Sequence, residues 1–172
     1  MPREISAGGV VLRQISGAWH VALIEPQREQ NETTKKTTTP RKRTRALFTL
    51  PKGLVDPGEK PPATAVREVR EETGIQAEVV TKLSDSKYVY VRSWGDGGRV
   101  FKIVTFYLMR YVSGEIDDLA SDMRVEVKRA IWVPLAEASK QMAYSSERKI
   151  LRQAQDYLES KGLAAQGVVE EE

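Results

Sequence analysis

Three glutamates, Glu68, Glu71 and Glu72, sit in a stretch with helical apolar spacing. At about 100° per residue they project within an arc of roughly 100° on one side of it. Like charges gathered so closely repel and raise one another's pKa, so the cluster needs cations or water to tolerate it. Hard divalent ions suit it best, because Mg²⁺ and Mn²⁺ prefer carboxylate oxygens and keep waters that can be activated; the chemistry indicated is metal-assisted hydrolysis. Arg67, one turn before Glu71, can pin that carboxylate, and Glu59 adds a further acid from the loop side. For three glutamates alone a solvated acidic helix face is the simpler reading, and only a wider pattern displaces it.

The helix that must carry these acids is bounded by Pro61 and Pro62 at its first turn and Gly74 just past its end. Pro62, Ala65, Val66, Val69 and Thr73 recur with the spacing of one core-facing stripe. Ahead of it, Ile5 to Leu12 and Trp19 to Glu25 are apolar and β-branched enough for strands, with a hairpin turn around Ile15-Ser16-Gly17. Beyond the helix, strands are expected at Val79 to Leu83, Lys87 to Ser93, Arg99 to Val112 and Val125 to Val133. Asp96-Gly97 marks a hairpin, and helices are expected at Leu135 to Met142 and Ser146 to Ser160.

At 172 residues, 40% hydrophobic and 30% charged, the chain has the size and composition of one globular domain, expected over residues 1–161. It has no cysteine, which excludes disulfides, thiolate nucleophiles and zinc–thiolate sites, and the lone His20 cannot build a multi-histidine centre. No apolar run of about 18 residues or signal-peptide pattern is present, so no membrane partner and a cytoplasmic location are expected. From Arg28 to Arg45, seven basic residues (Arg28, Lys35, Lys36, Arg41, Lys42, Arg43 and Arg45) face two acidic ones, net +5 in a chain of net +3. This Thr-rich segment reads as a mobile basic loop over 28–45, either a solvated insertion or an attractor for phosphate or RNA. The end of the chain, 162–172, reads as a disordered acidic tail.

Gly53, five residues, Glu59, seven residues, and then Arg67-Glu68-Val69-Arg70-Glu71-Glu72-Thr73-Gly74-Ile75 resemble the Nudix box at every fixed position. Ser6 to Val11 resembles the family's opening strand, Leu50-Pro51-Lys52-Gly53 its common lead-in, and Glu126 to Leu158 its downstream pattern. The resemblance implies an α/β fold, an α/β/α sandwich with a mixed central sheet, that hydrolyses a nucleoside diphosphate linked to another group with Mg²⁺ or Mn²⁺. Carried over by residue, Glu71 and Glu72 are implied metal ligands, Glu68 the water-activating base or a further ligand, and Arg67 its orienting partner. Glu59 supports the loop and is a candidate for a second ion; the Lys52 carbonyl and Glu126 complete the implied metal set.

Lys52 and Lys102 are candidates to hold phosphates. Tyr88, Tyr90, Trp94 and Tyr144 are candidate stacking surfaces for a base, with Tyr144 favoured because it lies between two expected helices. The motifs look most like dinucleoside polyphosphate and MutT-type hydrolases, weakly supported by Tyr90, 15 residues past Ile75. RNA 5′-end pyrophosphohydrolysis, diphosphoinositol polyphosphate hydrolysis and non-catalytic nucleotide sensing stand as alternatives. Oligomeric state is not legible.

Overall fold

The computed structural model describes residues 1–27 and 47–162. The basic segment expected over 28–45, and all but the first residue of the expected acidic tail, lie outside the described residues.

Strands β1 (Arg3–Ile15) and β2 (Ala18–Pro26) form the expected hairpin, with Ile15 opposite Ala18 across the Ser16-Gly17 turn. Both turn residues have positive φ, the combination whose twist suits a two-residue connection. The remaining strands are β3 (Lys52–Leu54), β4 (Gln76–Val91), β5 (Arg99–Ser113) and β6 (Val127–Pro134). Their order is β4-β5-β1-β2-β6, with β3 on β1 off this path. The β1–β5 pair is parallel and the others antiparallel, so the sheet is mixed.

Alternation along the strands sends side chains to two opposite layers. Ala7 and Val11 of β1, Ala22 of β2 and Met109 of β5 meet Ala65 and Val69 of helix α1 (Pro61–Thr73). Val10, Leu12, Val21, Leu23, Phe106 and Leu108 point the other way, into a core shared with α2 (Leu135–Gln141) and α3 (Ser145–Ser160). The architecture is the expected α/β/α sandwich. Among the described residues no helix is long and apolar enough to cross a membrane.

The structure redraws three local expectations. Pro62 is exposed, so the buried stripe of α1 begins a turn later, at Ala65. The two short strands expected between Val79 and Ser93 are one strand, β4. Register shifts at Gln76/Ala77, Val79/Thr81 and Lys82/Ser84 reset its alternation and disguise its continuity. The last strand starts at Val127, because Ser121–Val125 winds into a 3-10 turn.

Gly74 ends α1 at φ 84, its N–H bonded to the carbonyl of Arg70 at 2.9 Å. A Cβ there would come within 2.8 Å of the backbone of Glu115 and Asp118. Gly74→Ala therefore combines left-handed strain with a backbone collision, and is expected to lower stability by about 2–3 kcal/mol in urea titration.

Candidate active site

Arg67 is the hub of the acidic cluster. Its Nε and Nη2 donate to the two oxygens of Glu59 at 2.7 and 2.8 Å, a bidentate pair. Nη1 donates to Glu68 at 2.9 Å and to Glu71 at 3.2 Å, and Nη2 also reaches the carbonyl of Leu54 at 3.1 Å. The i,i+4 contact to Glu71 is the one expected from sequence; the pair with Glu59 ties the loop before α1 to the helix. Glu59 also accepts from Thr64 Oγ1 at 2.7 Å and from the Asp56 N–H at 3.1 Å. These bonds, the guanidinium first, hold its carboxyl down at about 2.

Glu72 lies on the opposite side of the balance. It is 7% exposed, and its Oε1 accepts the Lys52 N–H at 3.1 Å. Burial, reinforced by the charge of Glu68, pushes its carboxyl from an ordinary 4.5 up to about 8. Burial likewise raises Glu68, with the Glu71 and Glu126 charges adding to it against the pull of Arg67. The Glu68 carboxyl lies directly over Gly53, where a Cβ would collide with it. The glycine is thus required for close approach, since any side chain would displace the carboxyl.

Among the described residues no three His, Cys, Asp or Glu side chains are already drawn together as a metal cage. Arg67 holds Glu68 and Glu71 toward itself. The donor chemistry nevertheless fits a hard divalent cation. Glu68, Glu71, Glu72 and Glu126 are linked by mutual repulsion, all offer carboxylate oxygens, and two are buried at the expense of their charge.

A cleft of about 450 Å³ opens beside these acids, lined by Glu72, Glu126, Lys52, Tyr88, Tyr144 and Glu147 among others. Its floor is the β5 face at Val104 and Phe106. Tyr144 lines this cleft, and it is joined by Tyr88, whose hydroxyl pKa burial raises. Tyr90 and Lys102 are not among the lining residues. Lys102 pairs with Glu4 at 3.4 Å, and Tyr90 is hydrogen-bonded to the same glutamate. Arg67 and the three acids it engages, Glu59, Glu68 and Glu71, also lie outside the lining. Sequence reasoning assigned no site role to Glu147, which is 3% exposed and paired with Lys52 at 2.8 Å. A local signal for it was the helical phase that puts it on the buried side of α3 with Ile150 and Leu151.

A NUDIX domain model matches residues 7–154, and the chain belongs to the Nudix family. It is 39% identical over 168 residues to the protein named MutT4 of Mycobacterium tuberculosis (strain CDC 1551 / Oshkosh), an alignment covering 94% of this chain and 60% of that protein. Over 34 residues it is 62% identical to the asymmetrical bis(5′-nucleosyl)-tetraphosphatase of Mus musculus, covering 20% of this chain and 23% of the mouse enzyme. The chain thus spans less than two thirds of the length of either relative. In fold it is similar to the crystal structure of a C. elegans Ap4A hydrolase binary complex, with a TM-score of 0.64 and 22% identity over 91% of this chain and 98% of that one.

Glu72 and Glu59, perturbed in opposite directions, make opposite contributions to stability. Glu72, raised to about 8, favours the fold fully below the ordinary carboxylate pKa, and that contribution is lost as pH rises through about 8. Glu59, lowered to about 2, contributes above the ordinary value and loses it as pH falls toward 2. In chelator-treated protein, Glu72→Gln is expected to stabilise the fold at pH 8.5 by on the order of 1–3 kcal/mol and to change little at pH 5. Thermal unfolding at the two pH values checks the sign; stabilisation at pH 5 alone would contradict it.

Proposed function

We propose that this chain is a divalent-metal-dependent pyrophosphohydrolase that cleaves dinucleoside polyphosphates or related nucleoside polyphosphates by attack of an activated water. The observation that carries this reading is the meeting, at one cleft, of Glu72, a carboxylate buried at a cost to its charge, with Glu126, Lys52 and two tyrosines. The short, highly identical match to a tetraphosphatase supports the dinucleoside class, and the longer match to MutT4 supports the related nucleotides.

Glu71 and Glu72 are the residues to hold Mg²⁺ or Mn²⁺, with Glu126, the Lys52 carbonyl and, where it is not the base, Glu68. When bound, such an ion supplies positive charge against the phosphate oxygens and acidifies a water. Glu68 is the base: burial raises its pKa, which makes its carboxylate a stronger proton acceptor than an ordinary one, and Arg67 orients it. Glu59 acts at one remove by holding Arg67, and Lys52 carries positive charge to the phosphate chain. Tyr144 and Tyr88 are placed to stack on a base at the mouth of the cleft. Residues 1–161 act as one catalytic unit, because the cleft draws on β2, β3, α1, β4, β5 and α3. A cytoplasmic location gives it access to such nucleotides.

Purified protein with Mg²⁺ or Mn²⁺ is expected to hydrolyse diadenosine tetraphosphate or nucleoside triphosphates in a chromatographic assay; failure on the whole panel with both metals refutes the reading. Glu68→Gln is expected to lower kcat by about 10²–10⁴-fold at an unchanged melting temperature. Glu71→Gln is expected instead to shift the activating metal concentration upward, read as a displaced Mg²⁺ titration curve. A loss that saturating metal does not restore counts against Glu71 as a ligand.

A further inference from the structure

Glu147 has no role in the chemistry just described, yet it is a carboxylate buried against the wall of the same cleft. It stands in the first turn of α3, where the helix N-terminus favours negative charge. Its Oε1 accepts the Leu50 N–H at 2.8 Å, and its Oε2 lies 2.8 Å from the Lys52 ammonium. That ammonium also donates to the Leu50 carbonyl at 3.0 Å, while the Lys52 backbone N–H donates to Glu72 at 3.1 Å. One hydrogen-bonded chain therefore runs from α3 through residues 50–52 to an acid of α1.

A lysine ammonium has three donors. Glu147 and Leu50 take two, which leaves the third for a ligand, and the side chain, 23% exposed, lines the cleft. An unanchored lysine would have to give up its rotamer entropy to take one position against a phosphate. Here the anchoring is done before the substrate arrives.

We propose that Glu147 is a positioning residue, fixing the Lys52 ammonium so that one N–H meets the polyphosphate at a set point relative to the acids of α1. This rests on the reading of the cleft as a polyphosphate site. Both oxygens of Glu147 are engaged, so it takes no part in proton transfer. Removing its charge leaves the attraction between Lys52 and phosphate intact, and takes away a repelling anion, but releases the ammonium from its place. Turnover falls while KM does not rise.

The test compares the wild type, Glu147→Gln, Lys52→Met and the double variant. Glu147→Gln, which keeps an acceptor for the Leu50 N–H, is expected to lower kcat about ten- to a hundredfold with KM unchanged or lower. In the Lys52→Met background the same change is expected to cost nothing further, the mark of a residue acting through another. A second readout needs no substrate: the ¹⁵Nζ signal of Lys52 is expected to be protected from rapid exchange in the wild type and to vanish in Glu147→Gln. Additive losses of kcat in the double variant, or a Lys52 signal indifferent to Glu147, overturn the proposal. If the wild type turns over no nucleotide, the hydrolase reading fails by itself, and the ammonium signal still decides for or against Glu147. Should Glu147→Gln not fold, Glu147→Asp keeps the charge and shortens its reach; a weakened Lys52 signal is then expected, and an unchanged one refutes the idea.

Discussion

Carboxylates crowded along a helix repel one another, and here the guanidinium of Arg67 makes their gathering tolerable. Its Nε, Nη1 and Nη2 are all in use, reaching Glu59 twice, Glu68, Glu71 and the carbonyl of Leu54. A lysine in its place would bring one point charge and no planar fork, and could not hold the loop acid and two helix acids in one geometry. Compensation is nevertheless incomplete. Glu72 lies beyond that network, with a backbone N–H from Lys52 for support, and its raised pKa measures the shortfall. Such an uncompensated buried carboxylate is a standing cost to the fold, the kind of local inconsistency expected where function rather than stability sets the sequence.

That division explains which features were legible from residue order. The helix and its acids could be read because everything that defines them is local. Two prolines at the start, a glycine at the end, apolar residues at helical spacing and glutamates in phase all lie within one short stretch. The contact of Arg67 with Glu71 follows from the same periodicity. Its stronger bond, to Glu59, spans a loop whose course no periodicity encodes. The bulges of β4 were equally hidden: each resets the alternation, so counting by twos along the sequence could not say which face Tyr88 and Tyr90 share; on that face Tyr88 lines the cleft while Tyr90, two residues farther along, is bonded to Glu4. Lys102 shows the limit from another side. Alternation correctly puts it on the face of Val104 and Phe106, but Glu4 lies directly beside it across the parallel pairing with β1 and takes the charge.

Glu147 was the hardest to see, and for a physical reason. Its partners, Leu50 and Lys52, are about a hundred residues away in sequence, so no spacing rule connects them, and a single glutamate in the first turn of a helix is usually just a favourable charge at the dipole. Only the packing of α3 onto the sheet reveals that the carboxylate is covered and must be paired.

The backbone that makes this pairing possible also supports the other side of the site. On one edge β1 pairs with β5; on the other it is shared, with β2 along Leu12–Ile15 and with β3 along Ser6–Gly8. The chain from Phe48 to Leu54 runs into the fork between them. Thr49 bonds to Ile24 of β2 in both directions, and Phe48 is bonded to Gln141 and Ala143 around the α2–α3 junction. Held so, this segment presents Lys52 to Glu147 and the cleft, its next residue, Gly53, to the carboxyl of Glu68, and the N–H of Lys52 to Glu72. Displacing it in either direction would disturb the acids and the lysine together. The separation between the Lys52 ammonium and the carboxylates opposite it is thus set by one short strand inserted into the sheet, and it can change only if the sheet itself gives way.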